Sequence, residues 1–90
     1  MTRDTYLEVT YRHGRPVAAY LYFPGGANAE VARTQKMKPG LVADFAADGR
    51  PIGLEIVSPS AVSLQDVNEV LQSLNKEALP EEEFAPLNAG

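Results

Sequence analysis

The segment Leu41-Val42-Ala43-Asp44-Phe45-Ala46-Ala47-Asp48-Gly49-Arg50-Pro51-Ile52-Gly53-Leu54-Glu55-Ile56-Val57 decides the fold. Two alternating apolar runs flank Asp48-Gly49. Asp-Gly favours a type I′ turn, whose two central residues need positive φ. With these two as the loop, Leu41 faces Ile56, Ala43 faces Leu54 and Phe45 faces Ile52. All six are apolar and make one core face. A slip of one residue would set them against Asp44, Gly53 and Glu55. Pro51 then stands opposite Ala46 at a non-hydrogen-bonded pair, where its missing N–H is no loss to the partner strand.

Toward the N-terminus, Lys38-Pro39-Gly40 turns into this hairpin from residues 29–38. There Val31, Arg33, Gln35 and Met37 alternate with Glu30, Ala32, Thr34, Lys36 and Lys38, a polar strand suited to a sheet edge. Pro24-Gly25-Gly26 ends an earlier strand, residues 16–23. Its Val17, Ala19, Leu21 and Phe23 line one face, and Ala18, Tyr20 and Tyr22 the other. Neither face is polar, so this strand belongs inside a sheet. Residues 5–12 alternate as well. A three-residue loop, Arg12-His13-Gly14, would set Val9 against Val17 and Leu7 against Ala19.

Toward the C-terminus, Ser58-Pro59-Ser60 breaks the sheet. Ser63 is the expected N-cap, with Asp66 at N3 and Val62 and Val67 as a hydrophobic staple. Leu64, Val67, Val70, Leu71 and Leu74 form one stripe of a helix over residues 64–75. The expected fold is α+β: strands at about 5–12, 16–23, 29–38, 41–47 and 50–57 in a mainly antiparallel sheet, with the helix on one face. Residues 77–90, acidic and broken by Pro80 and Pro86, read as a flexible tail.

Pro39-Gly40-Leu41-Val42-Ala43-Asp44-Phe45, Asp48-Gly49-Arg50 and Gly53-Leu54-Glu55-Ile56, preceded by the aromatic strand Ala18–Phe23, resemble the small bacterial family Domain of Unknown Function 2283. The resemblance covers about Tyr11 to Ser58. It departs just before the aromatic strand, where the family's acidic residues are replaced by Arg12, His13, Gly14 and Arg15. It implies a bacterial source and this hairpin fold, with no assigned activity. By analogy, small proteins of this kind partner others, including in antitoxin-like roles.

Ninety residues make one domain. The chain has no cysteine, so disulfides, thiolate nucleophiles and thiolate metal ligands are excluded. No apolar run reaches the ~20 residues of a membrane span, and Met1-Thr2-Arg3-Asp4 leads into a strand without a signal-peptide apolar segment. A cytoplasmic location is expected. Residues 1–58 carry seven Lys or Arg against six Asp or Glu, and residues 59–90 one against six. Such a chain lacks the clustered cations that nucleic acid requires.

Asp44 and Glu55 are diagonal neighbours on the non-core face, candidates for acid–base chemistry or a hard cation. The plain alternative is two solvated charges. His13 stands alone on a turn with no nucleophile beside it, and no catalytic constellation or cofactor motif is visible. Tyr20 and Tyr22 would leave an apolar patch, a candidate oligomer contact. Glu81, Glu82, Glu83 and Phe84 are a candidate docking element for a basic partner, or a solubilising terminus. The expected function is a non-enzymatic interaction module, a homo-oligomer or the partner of another small protein, without cofactor. The alternative is a small-ligand or metal-binding domain at Asp44 and Glu55.

Overall fold

Five strands form: β1 (Tyr6–Arg12), β2 (Arg15–Tyr22), β3 (Arg33–Lys38), β4 (Leu41–Phe45) and β5 (Pro51–Ile56). They pair antiparallel throughout in the order β1-β2-β5-β4-β3. The computed structural model describes residues 5–88. Expectations for residues 1–4, 89 and 90 lie outside them. The polar strand β3 is an edge, and the two-sided apolar strand β2 lies inside the sheet.

In the central hairpin Leu41 faces Ile56, Ala43 faces Leu54 and Asp44 faces Gly53. The turn itself corrects the sequence reading. Gly49 N–H donates to the Ala46 carbonyl and Ala46 N–H to the Arg50 carbonyl, both at 2.9 Å. The loop is therefore Ala47-Asp48-Gly49, with Gly49 at φ 89° and Asp48 at negative φ. Asp48 Oδ1 instead accepts from the Arg50 N–H at 3.0 Å. The extra loop residue is absorbed at once: Phe45 faces Pro51, and Ile52 bulges with no register partner on β4, while its carbonyl accepts from the Phe23 N–H at 3.1 Å on the other side. Proline has no N–H to give to the ladder, so a bulge beside it breaks little.

The first hairpin is corrected in the opposite sense. His13 (φ 52°) and Gly14 (φ 76°) form a two-residue turn between paired Arg12 and Arg15, the type I′ pattern. A bulge after Pro16 leaves Val17 unpaired, and Val9 faces Ala19 while Leu7 faces Leu21. The shift from the expected register is two residues, which preserves the faces. Val17, expected in the core, is 43 % exposed. The third strand also begins later than residue 29. A 3-10 turn at Gly26–Asn28 precedes it, and only the Ala32 N–H reaches the sheet ahead of Arg33, at the Phe45 carbonyl.

Helix α1 spans Leu64–Ser73. Ser63 Oγ accepts from the Asp66 N–H at 3.0 Å, and Asp66 Oδ2 accepts from the Ser63 N–H at 3.1 Å, a full capping box. At the other end Lys76 N–H donates to the Leu71 carbonyl and Asn75 N–H to the Gln72 carbonyl, with Asn75 at φ 61°. This is a Schellman closure using Asn in place of the usual Gly. Val67, Val70 and Leu71 bury against Leu21, Leu41, Ala43, Leu54 and Ile56 of the sheet. Lys38, swung to the helix side by an irregularity at Met37, pairs with Glu69 and lies 3.9 Å from Asp66. This pairing raises the Lys38 pKa and lowers that of Glu69.

The expectation of a free tail is corrected. A short helix α2 (Glu81–Phe84) and a 3-10 turn follow α1, and Leu79, Phe84 and Leu87 belong to the core. Asn68 of α1 holds this segment by its backbone: Oδ1 accepts from the Leu79 N–H at 2.7 Å and Nδ2 donates to the Leu79 carbonyl at 3.3 Å. The segment completes the layer that α1 begins, because a ten-residue helix is too short to cover a five-stranded sheet face.

Candidate functional site

Both helices pack on one face of the sheet. Among the described residues no element covers the other. Its side chains fall in cross-strand rows set by the register. One row runs Glu8, Tyr20, Glu55, Val42, Lys36 from β1 to β3, and the next runs Tyr6, Tyr22, Gly53, Asp44, Thr34. Tyr6 is half exposed, as is Val57 just beyond β5.

Asp44 points to this open face and is nevertheless only 4 % exposed. Tyr20 covers it. The Tyr20 hydroxyl donates to Asp44 Oδ2 at 2.8 Å, and the Thr34 hydroxyl donates to Oδ1 at 2.8 Å. To get there from two strands away, the Tyr20 ring crosses Gly53. A Cβ at Gly53 would stand 2.2 Å from the Tyr20 oxygen and 2.4 Å from ring carbons. Only glycine leaves that path open.

Glu55 sits beside this bridge. Partial burial, and then the charge and hydrogen bonding of Asp44, push its carboxyl above the ordinary 4.5. Burial also pushes the Tyr20 phenol up, followed by its bond to Asp44. Tyr22 stacks on Tyr6 with ring centroids 4.7 Å apart and tilts against Tyr20 at 4.6 Å, and its hydroxyl donates to Glu8 Oε1 at 3.2 Å. A shallow groove of about 290 Å³ runs between Glu8 and Glu55 over Ala18 and Tyr20.

A family model described as protein of unknown function (DUF2283) matches residues 18–60. This segment is assigned to the DUF2283 family. No curated protein and no solved structure matches the chain. The DUF2283 segment takes in β2 from Ala18 onward and β3 to β5, and so contains Tyr20, Thr34, Asp44, Gly53 and Glu55. Tyr6, Glu8 and both helices fall outside it.

Within this DUF2283 sheet, Asp44, Glu55, Tyr20 and Tyr22 come together on one face. The tail residues do not join them. Phe84 is 2 % exposed inside the core, so it is not offered to a partner, which corrects its reading as a docking residue. Glu81 and Glu82 are exposed at the start of α2, in the layer on the opposite face. His13 lies on its turn, exposed. Among the described residues no group of three or more His, Cys, Asp and Glu side chains is placed to hold a metal ion, and both Asp44 oxygens already accept from hydroxyls. None of the described helices is long and apolar enough to cross a membrane. Sequence reading missed Thr34 and Gly53, and missed Tyr20 as the Asp44 donor. Matching side-chain parity was the available signal, but it needed the order β2-β5-β4 to become a contact.

Proposed function

We propose that this chain is a non-enzymatic protein-interaction module, a homo-oligomer or the partner of another small protein, antitoxin-like pairing included. The docking surface is the open sheet face. The observation that carries this reading is the uncovered patch of Tyr6, Tyr20, Tyr22, Val42 and Val57 on a sheet whose other face is fully layered. Aromatic side chains with tethered hydroxyls are low-entropy contact area, the kind that dominates interfaces. Polar groups on the face are largely satisfied internally, through Asp44 with Tyr20 and Thr34, and Glu8 with Tyr22. They ask little desolvation of a partner.

Val42→Glu tests this. Val42 is half-buried at the middle of the patch and makes no polar contact. In an extract of the native cells the parent chain should elute well above its 9.7 kDa, and the variant at monomer size with a nearly unchanged melting temperature. A parent chain that elutes as a monomer, or a variant that still elutes with it, overturns the reading.

A further inference from the structure

We infer that the occupant of the open face is a second copy of the chain, packed face to face about a two-fold axis parallel to the strands, so that Glu8 of each copy meets Lys36 of the other. This rests on the open face being the docking surface and names what docks there.

Three observations carry it. The first is charge. The row Glu8, Tyr20, Glu55, Val42, Lys36 spans the whole sheet, with its acid on one edge strand and its base on the other. A two-fold axis over β5 exchanges the edges and brings each acid over a base, twice per dimer. Any other protein would need to supply this pattern, whereas a second copy has it already.

The second is shape. The bulk on the face is uneven: Tyr6 and Tyr22 stack over β1 and β2, and the Tyr20 ring lies across Gly53 to Asp44. Beyond that ring, the β4 and β3 side carries the smaller Val42 and Thr34. The same rotation sets Tyr6 of one copy over Thr34 of the other, large over small, and Tyr22 over the Tyr20–Asp44 bridge. Sheets packed in this aligned way lie about 10 Å apart, the reach of interdigitating side chains.

The third is area. Five strands at about 4.8 Å spacing and about six residues long give roughly 24 by 20 Å. Two such faces bury about 1,000 Å² in total, the size at which a specific interface begins.

The axis passes over Glu55, so two copies of it approach each other. The groups facing it are Asp44 from β4 and Tyr20 from β2, with Glu8 and Lys36 at the row's ends. Burial, and then Asp44, raise the Glu55 pKa above its ordinary value, so taking up a proton where the two copies meet costs less than it would for a solvated carboxylate.

Sedimentation of the purified full chain tests the inference with charge exchange. Glu8→Lys and Lys36→Glu should each weaken self-association about tenfold or more, since each sets like charges together. The double exchange Glu8→Lys/Lys36→Glu should return it to within about threefold of the parent. Matching melting temperatures for the three variants show that each is folded. A parent chain that stays monomeric at millimolar concentration overturns the inference, as does a double exchange that fails to rescue. If Val42→Glu still disrupts a complex in cell extract in those cases, the face is a docking surface for a different protein. If Val42→Glu changes nothing, the face itself is not used.

Discussion

Tyr20 and Gly53 form one unit: the ring of the first fills the space a side chain on the second would occupy. Gly53→Ala forces the ring aside and takes its hydroxyl off Asp44, an overpacking cost of about 1–3 kcal/mol. Each kcal/mol lowers the melting temperature of a domain this size by about 4–8 °C. In a Tyr20→Ala background the obstacle is gone, and Gly53→Ala should cost almost nothing. A double-mutant cycle by thermal melting reads the difference, and additive effects would show that the ring is not the obstacle.

Asp44→Asn changes the titration of Glu55. The Glu55 carboxyl is held above 4.5 in the fold, by burial first and by Asp44 second. A carboxyl with a raised folded value contributes stability that is full below 4.5 and is lost as pH rises through that raised value. Removing the Asp44 charge should move the Glu55 midpoint back toward 4.5, so that the loss is smaller and is complete at lower pH. Carbon-13 NMR of the Glu55 carboxyl follows this directly. An unmoved midpoint would assign the whole shift to burial.

The C-terminal segment is part of the fold, so a chain ending at Lys76 should not melt cooperatively. It loses Leu79, Phe84 and Leu87 from the core, at about 2–5 kcal/mol each, against a typical total of about 5–15 kcal/mol. Asn68→Ala is the mild version. It removes both bonds to the Leu79 backbone, costs about 1–3 kcal/mol, and should speed amide exchange in residues 79–87 ahead of β4 and β5. Uniform exchange in the variant would mean that the segment and the sheet open together.

Among the described residues two non-glycines hold positive φ, His13 and Asn75. His13→Asn gives the first turn the Asn-Gly pair that type I′ favours, and Asn75→Gly removes the Cβ from the helix closure. Each should stabilise by up to about 1 kcal/mol in urea melts. A loss at either site would reveal a side-chain contact worth more than the backbone relief.

The apolar alternation of Leu41, Ala43, Leu54 and Ile56 made the core face readable, and Ser63 with Asp66 marked the helix start. The turns were not readable, because His13-Gly14 and Asp48-Gly49 each admit two loop lengths and the bulges after Pro16 and Pro51 reconcile either one with the same faces. The open face was legible in part. Parity put Tyr20, Asp44 and Glu55 on it, but Asp44 meets Tyr20 only because β5 enters between β2 and β4, a topology no local pattern states. Leu79, Phe84 and Leu87 were missed because prolines at 80 and 86 interrupt any helical period, and burial there is decided by the sheet area left over by α1.

The place of β5 has a consequence for the chain as it is made. β3, β4 and β5 form a local meander, each strand beside its neighbour in sequence. β2 is different: Leu21 must wait for Leu54, and Ala19 for Ile56. While the intervening residues leave the ribosome, the β1–β2 hairpin has an unpaired apolar edge and little stability alone. The emergence of β5 ends that interval, joining the two halves in a single late closure. Slowing translation between Phe23 and Ile56 lengthens the time this edge stays open, so the seam that joins the two halves is also the sheet's most vulnerable point during synthesis.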